Sequence, residues 1–258
     1  MFYPGFDITP TYDPLGFEYG EGVFGPVPEL RTLDAIRPSL QDPSCTGPEV
    51  VYAIAMDTGR EVDKPAMLER NLLFGVVTYA AGLLGNEPVR SQGHIHAVSP
   101  SCGASTCEVY EIWEGAAYIY MQERAKDDPG RCFAIYAKPG DVVITPPNWA
   151  HAVIVADTSK NLTFGAWCVR DYGFDYDDVR AHKGIAWFPQ VDEGGQTTFV
   201  ANPTYLPSTL EVRGPGDYSK FGLRKDISIY QQFIDNPDEF LYVSRPQLDP
   251  SLWEHFIP

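Results

Sequence analysis

The 258-residue chain reads as an all-β protein, an antiparallel barrel or jelly roll carrying an N-terminal arm and a partly helical C-terminal extension. Three observations point there. Short β-branched and aromatic runs recur through the middle of the chain, and 23 glycines and 23 prolines punctuate them. Long amphipathic stretches of 3.6-residue period are missing from the same region, so a parallel sheet with crossover helices is disfavoured.

The elements follow in order. Residues 1–48 are rich in Pro and Gly, with a short strand or helix near RTLDAI, and read as an arm packed over the barrel. Residues 49–200 carry the strands, expected at 50–56, 72–80, 108–113, 116–122, 132–137, 141–145, 151–156, 162–169 and 185–188. Most alternate or are wholly apolar, as strands buried on one face or on both must be. Residues 201–258 begin as a turn-rich strap. In ISIYQQFIDNPDEFLYV, Ile229, Phe233 and Ile234 then have helical spacing, and Pro237 starts a second short turn. This extension packs on the barrel or on a partner subunit.

Composition narrows the functional classes. Hydrophobic residues make up 44% and charged residues 21% of the chain. With a mean hydropathy of -0.21, this is globular composition. No apolar window is long enough for a membrane helix, and the N-terminus lacks the basic-then-apolar order of a signal peptide, so the expected address is the cytoplasm. Five cysteines without a C-x2-C pair argue for reduced thiols, with a Cys102–Cys107 bridge inside one loop as the alternative. The net charge of -16 excludes nucleic acid and anionic membranes as partners. It also means that an anionic substrate would need local donors such as amides, hydroxyls or a metal.

The chemistry concentrates in three histidines and a carboxylate. Gly93-His94-Ile95-His96 sets two imidazoles at i and i+2, on one face of an extended strand. Glu108 opens the strong strand CEVYEIWEG, and His151 follows Pro146-Pro147-Asn148-Trp149-Ala150. Period-two alternation puts Glu108, Tyr110 and Ile112 on one face and Glu111 and Trp113 on the other, which selects Glu108 over Glu111 as the ligand. Three His and one carboxylate accept one divalent ion, Fe, Mn, Zn or Ni, and leave coordination positions for a substrate. His182 and His255 stand alone and are read as ordinary surface or structural residues.

These residues resemble the two cupin motifs. His94-x-His96 is followed by Glu108 and, after six intervening residues, Gly115. Gly140, Pro146, Asn148 and His151 reproduce the second motif, with Asn148 where Gly is usual and Val155 where Asn is usual. The eleven residues AVSPSCGASTC between His96 and Glu108 exceed the motif and read as an inserted loop at the barrel mouth. Across residues 29–195 the chain is similar to cupin-type glucose-6-phosphate isomerases, through RTLDAI, EVVYAIA, LLFGVVTYAAGLLGNEPVRSQGHIHA, CEVYEIWEG, KPGDVVITPPNWAHAVIV and AWCVRDYGFDYDDVRAHKGIA.

The resemblance implies a jelly-roll cupin barrel and a metal-dependent isomerase that interconverts glucose 6-phosphate and fructose 6-phosphate, functioning as a homodimer. By matching position the metal ligands are His94, His96, Glu108 and His151. Tyr52, Ser91, Tyr110 and Tyr176 surround the sugar phosphate, with the Gly93 amide as a further donor and Arg90 turned to the opposite face. Glu108 and Tyr110 are the catalytic candidates. Two departures stand out: a phosphate-holding threonine aligns with Val77, and a histidine aligns with Phe174. The competing readings are an iron-dependent cupin dioxygenase, which would need an apolar or aromatic pocket, and a non-catalytic sugar-binding cupin, which would typically have lost metal ligands.

Overall fold

A computed structural model describes residues 1–258. Its centre is a pair of antiparallel sheets. The larger has six strands, in the order Val142–Thr145, Glu108–Glu114, Leu162–Val169, Leu72–Tyr79, Val50–Ala55 and Glu29–Thr32. The smaller runs Ala150–Val155, Ala117–Gln122, Cys132–Ala137 and Leu210–Arg213, the last strand pairing parallel to its neighbour. The expected strands at 50–56, 72–80, 108–113, 116–122, 132–137, 141–145, 151–156 and 162–169 all form, with ends shifted by a residue at most. The run at 185–188 becomes part of a hairpin, Trp187–Val191 with Thr197–Ala201, outside both sheets.

The sheets draw strands from beyond residues 49–200. Glu29–Thr32 pairs with Val50–Ala55 at one edge, and Leu210–Arg213 extends the smaller sheet at another. An exposed edge leaves backbone N–H and C=O groups unpaired, and the nearest extended chain on either side satisfies them. RTLDAI therefore splits, its first residues finishing a strand and Leu33–Ile36 forming one helical turn.

Alternation divides the packing into two cores. Residues facing between the sheets, among them Ile112, Ile119, Ile135, Val143, Phe164 and Ala166, form the barrel interior. The outer face of the larger sheet carries Phe74, Trp113 and Trp167. The C-terminal extension covers it: helix Ile229–Asp235 forms as its spacing predicts, and Phe233 packs against Trp167 with ring centroids 4.3 Å apart. Being buried on both faces is what makes Leu162–Val169 wholly apolar apart from one threonine and one cysteine. Gly165 is required here, because a Cβ would lie 2.3 Å from the Trp113 ring and 2.5 Å from the Phe74 ring.

Segment 89–96 flanks the smaller sheet as an irregular edge. Val155 donates to the Val89 carbonyl, Ser91 donates to the Val153 carbonyl, and His94 and His151 exchange N–H···O bonds at 3.1 and 2.9 Å. The regular strand expected through GHIH is broken at Gly93, whose φ is +91° and where a Cβ would approach Ile185 to 2.9 Å. Only glycine tolerates that combination.

Candidate metal centre and cavity

Reciprocal pairing of His94 with His151 sends both imidazoles into the space between the sheets, and His96 lies two residues further on. Glu108 enters from the opposite wall as the first residue of Glu108–Glu114. The ligand atoms of the four residues all lie within 4.8 Å of one another. Glu108 Oε2 is 3.3 Å from His96 Nε2 and 3.5 Å from His151 Nε2. Those spans are edge lengths of a coordination shell with bonds of about 2.1 Å.

The donor set fits a divalent cation. The Nε2 atoms of His94, His96 and His151 are buried and have no hydrogen-bond partner. His96 Nδ1 meets the Thr106 carbonyl at 3.0 Å and His151 Nδ1 meets the Trp149 carbonyl at 3.1 Å. A carbonyl can only accept, so the proton sits on Nδ1 and the Nε2 lone pair faces the centre. Burial, reinforced by the neighbouring imidazoles, pushes the His94 pKa well below the ordinary value, and burial also lowers that of His151. For Glu108 burial acts to raise the pKa, but the adjacent His151 and His96 outweigh it and hold the carboxyl well below the usual range. One carboxylate and neutral imidazoles are the protonation states a cation needs.

The longer loop between His96 and Glu108 is a buttress. Asp171 Oδ1 accepts from Ser99, Ser101 and Asn71, and the loop's own Thr106 carbonyl orients His96. Asn148, where the motif usually has Gly, adopts φ +68°, and its N–H donates to Ser105 in the same loop. Asparagine is among the few residues that enter this left-handed region readily, so the turn before His151 keeps its shape. All five cysteines are free thiols.

Above the ligands lies a cavity of about 70 Å³ lined by Tyr52, Ser91, Tyr110, Tyr176, Phe164 and Phe174, among others. Tyr110 donates to Glu108 Oε2 at 2.7 Å. Ser91 Oγ accepts the Val153 N–H at 3.0 Å, which leaves its own proton available. Val77 lines the cavity, whereas Thr78 turns away to share a 3.0 Å contact with Thr163. Phe174 packs against the His94 ring at 4.4 Å and makes that wall apolar. Gly93 contributes a backbone turn beside His94. Arg90 is buried and committed on the other face, to Glu87 at 2.6 Å and to the Ser39 and Ser91 carbonyls.

Two polar lining residues escaped the sequence reading. Tyr79 stacks on Tyr52 at 4.6 Å, and its position two residues after Val77 was the available signal. Gln92 reaches the cavity because the turn at Gly93 interrupts regular alternation, and its carboxamide oxygen accepts from Arg180 at 3.0 Å.

No helix is long and apolar enough to cross a membrane. A family model described as glucose-6-phosphate isomerase matches residues 32–206. A protein of Thermococcus gammatolerans named glucose-6-phosphate isomerase is 30% identical over 137 residues, 53% of this chain and 66% of that protein. One of Pyrococcus furiosus with the same name is 30% identical over 138 residues, again 53% and 66%. The chain thus spans just under two-thirds of the length of these relatives. A solved oxalate oxidase structure matches with TM-score 0.36 and 13% identity over 48% of this chain and 54% of that one, too distant to inform the argument. Because the family match runs from the edge strand through both ligand-bearing walls and covers well over half of the sequence, this chain belongs to the glucose-6-phosphate isomerase family, in its cupin form.

Proposed function

We propose that the protein is a metal-dependent aldose–ketose isomerase interconverting glucose 6-phosphate and fructose 6-phosphate. The observation that carries this reading is the placement of Glu108, an ionised carboxylate steadied by Tyr110, at the floor of a hydroxyl-bearing cavity and among three lone-pair-presenting imidazoles. His94, His96, Glu108 and His151 would hold one ion, Fe, Mn, Zn or Ni. When bound, it supplies Lewis-acid stabilisation of negative charge on the sugar's O1 and O2.

The residues themselves account for the rest. Glu108 takes the C2 proton and returns it to C1, with an enediolate between the two transfers, while the hydroxyl proton passes from O2 to O1, and the Tyr110 hydroxyl fixes the orientation of that carboxylate. Tyr52, Ser91 and Tyr176 bind the sugar hydroxyls and phosphate, with the Gly93 amide beside them. A space of about 70 Å³ admits the reacting end of an open-chain sugar, so the phosphorylated end extends toward the mouth. The protein acts in the cytoplasm as a homodimer.

A coupled assay for conversion of fructose 6-phosphate to glucose 6-phosphate, run before and after metal removal, tests the reading. Activity that disappears with the metal and returns on its addition is expected. No activity in the metal-loaded protein rejects it. The apolar wall of Ile54, Met56, Val77, Phe164 and Phe174 favours one second reading, an iron-dependent dioxygenase. Oxygen uptake by the Fe(II)-loaded protein would identify that activity.

A further inference from the structure

The isomerase reading leaves a charge problem. A phosphate monoester is a dianion, the protein carries a net charge of -16, and Val77 stands where a phosphate-holding hydroxyl would help. Arg90, the basic residue nearest the metal motif in sequence, is fully committed elsewhere.

A different arginine faces the site. Arg31 stands directly opposite Tyr52 in the pairing of Glu29–Thr32 with Val50–Ala55, and directly opposed residues project from the same face of a sheet. Tyr52 lines the cavity, so Arg31 is carried to its rim. The Arg31 side chain is three-quarters buried, with 23% of its surface exposed. Its Nε is buried without a hydrogen-bond partner, in the same condition as the three imidazole Nε2 atoms that face the metal centre. Arg170 Nε is also unpartnered, but that guanidinium already holds Asp57 through two 2.7 Å bonds. Arg31 has one acidic partner, Glu29, at 2.7 Å, and Glu29 is 65% exposed.

We infer that Arg31 adds a charged phosphate contact to this site, meeting the terminal phosphate of the sugar where it emerges past Tyr52 and Tyr176. The inference rests on the isomerase reading for its substrate and on the geometry for its position. A guanidinium offers several N–H donors to a phosphate, and with Nη2 on Glu29 the Nε–H of Arg31 remains unpaired. Arg180 also approaches Tyr176, its guanidinium 5.0 Å from the ring centroid, so a second cation stands near the same tyrosine. Concentrating positive charge at the mouth of a cleft offsets repulsion by the rest of the surface.

The test uses Arg31→Gln and Arg31→Lys in the metal-loaded protein, with metal content measured alongside. Arg31→Gln is expected to raise KM for fructose 6-phosphate about tenfold or more while kcat stays within about threefold, and to weaken binding of inorganic phosphate in calorimetry by a similar factor. Arg31→Lys should recover much of the KM, which a purely structural role would not predict. Unchanged KM and phosphate affinity in Arg31→Gln overturn the inference. So does a loss of kcat and metal content that matches the rise in KM. If the wild-type protein does not isomerise fructose 6-phosphate, the functional reading fails and the phosphate titration alone decides: binding lost in Arg31→Gln sustains the anion site, and equal binding removes it.

Discussion

At the scale of single residues, the centre depends on His96 and His151 each having Nδ1 tied to a backbone carbonyl and Nε2 left free. His94 and His151 also pair through their main chains, so replacing either side chain leaves the backbone bridge intact. His94→Ala and His151→Ala should therefore fold yet retain much less than one ion per chain after dialysis. Elemental analysis showing wild-type content in both would discard the ligand assignment. Glu108→Gln separates ligand from base. It keeps an oxygen that can coordinate and accept from Tyr110, so much of the metal should remain, while turnover falls by about 10²-fold or more. With substrate deuterated at C2, proton transfer through Glu108 releases some label to water, whereas a hydride shift carries all of it to C1. Near-normal turnover by metal-loaded Glu108→Gln would favour the hydride route.

At the scale of elements, Glu111 joins a barrel strand to the C-terminal extension. It is fully buried, and it accepts from Trp113 Nε1 at 3.0 Å and from the Ile229 N–H, the first of its helix, at 2.8 Å. The two donors favour the anion, yet burial dominates and raises the pKa from 4.5 to about 8. A folded-state pKa above the unfolded one means that the folded state binds the extra proton. The associated stability is present in full below pH 4.5 and is lost as pH rises to about 8. At about 1.4 kcal/mol per unit this amounts to a few kcal/mol. Melting curves should show wild-type stability falling more from pH 5 to pH 8 than that of Glu111→Gln, and parallel pH profiles would refute the linkage. Alternation in the sequence had already put Glu111 opposite Glu108. That its outward face meets a helix more than a hundred residues away was not legible, because nothing local records which segment covers a sheet.

At the scale of the whole molecule, the two cores share the larger sheet, and the extension completes the outer one. Trp167 is buried among Tyr230, Phe233 and Phe240, all from the extension, and donates from Nε1 to the Ile229 carbonyl at 3.2 Å. Ending the chain after residue 214 keeps both sheets but uncovers Phe74, Trp113 and Trp167. Such a contiguous apolar face drives self-association. The shortened protein should bind a hydrophobic dye and sediment as aggregates while the full chain does not. A soluble, dye-negative product would show that the extension is dispensable for the fold.

The sequence by itself determined the strands and the candidate metal-binding cluster, because both are written in short-range terms. Period-two alternation sorts residues onto faces, glycine and proline mark the turns, and His94, His96, Glu108 and His151 sit at spacings that strand geometry converts into proximity. The same logic placed Tyr110 beside Glu108 and turned Thr78 away from the cavity. What only the tertiary structure decided is which strands become neighbours. Arg31 reaches the rim because its strand pairs with that of Tyr52 in one register, and Gln92 and Tyr176 arrive through a left-handed turn at Gly93 and a short pairing of Phe174–Asp175 with Ile95–His96. Register, edge pairing and positive-φ turns depend on contacts between segments far apart in the chain, and no window of sequence contains both partners.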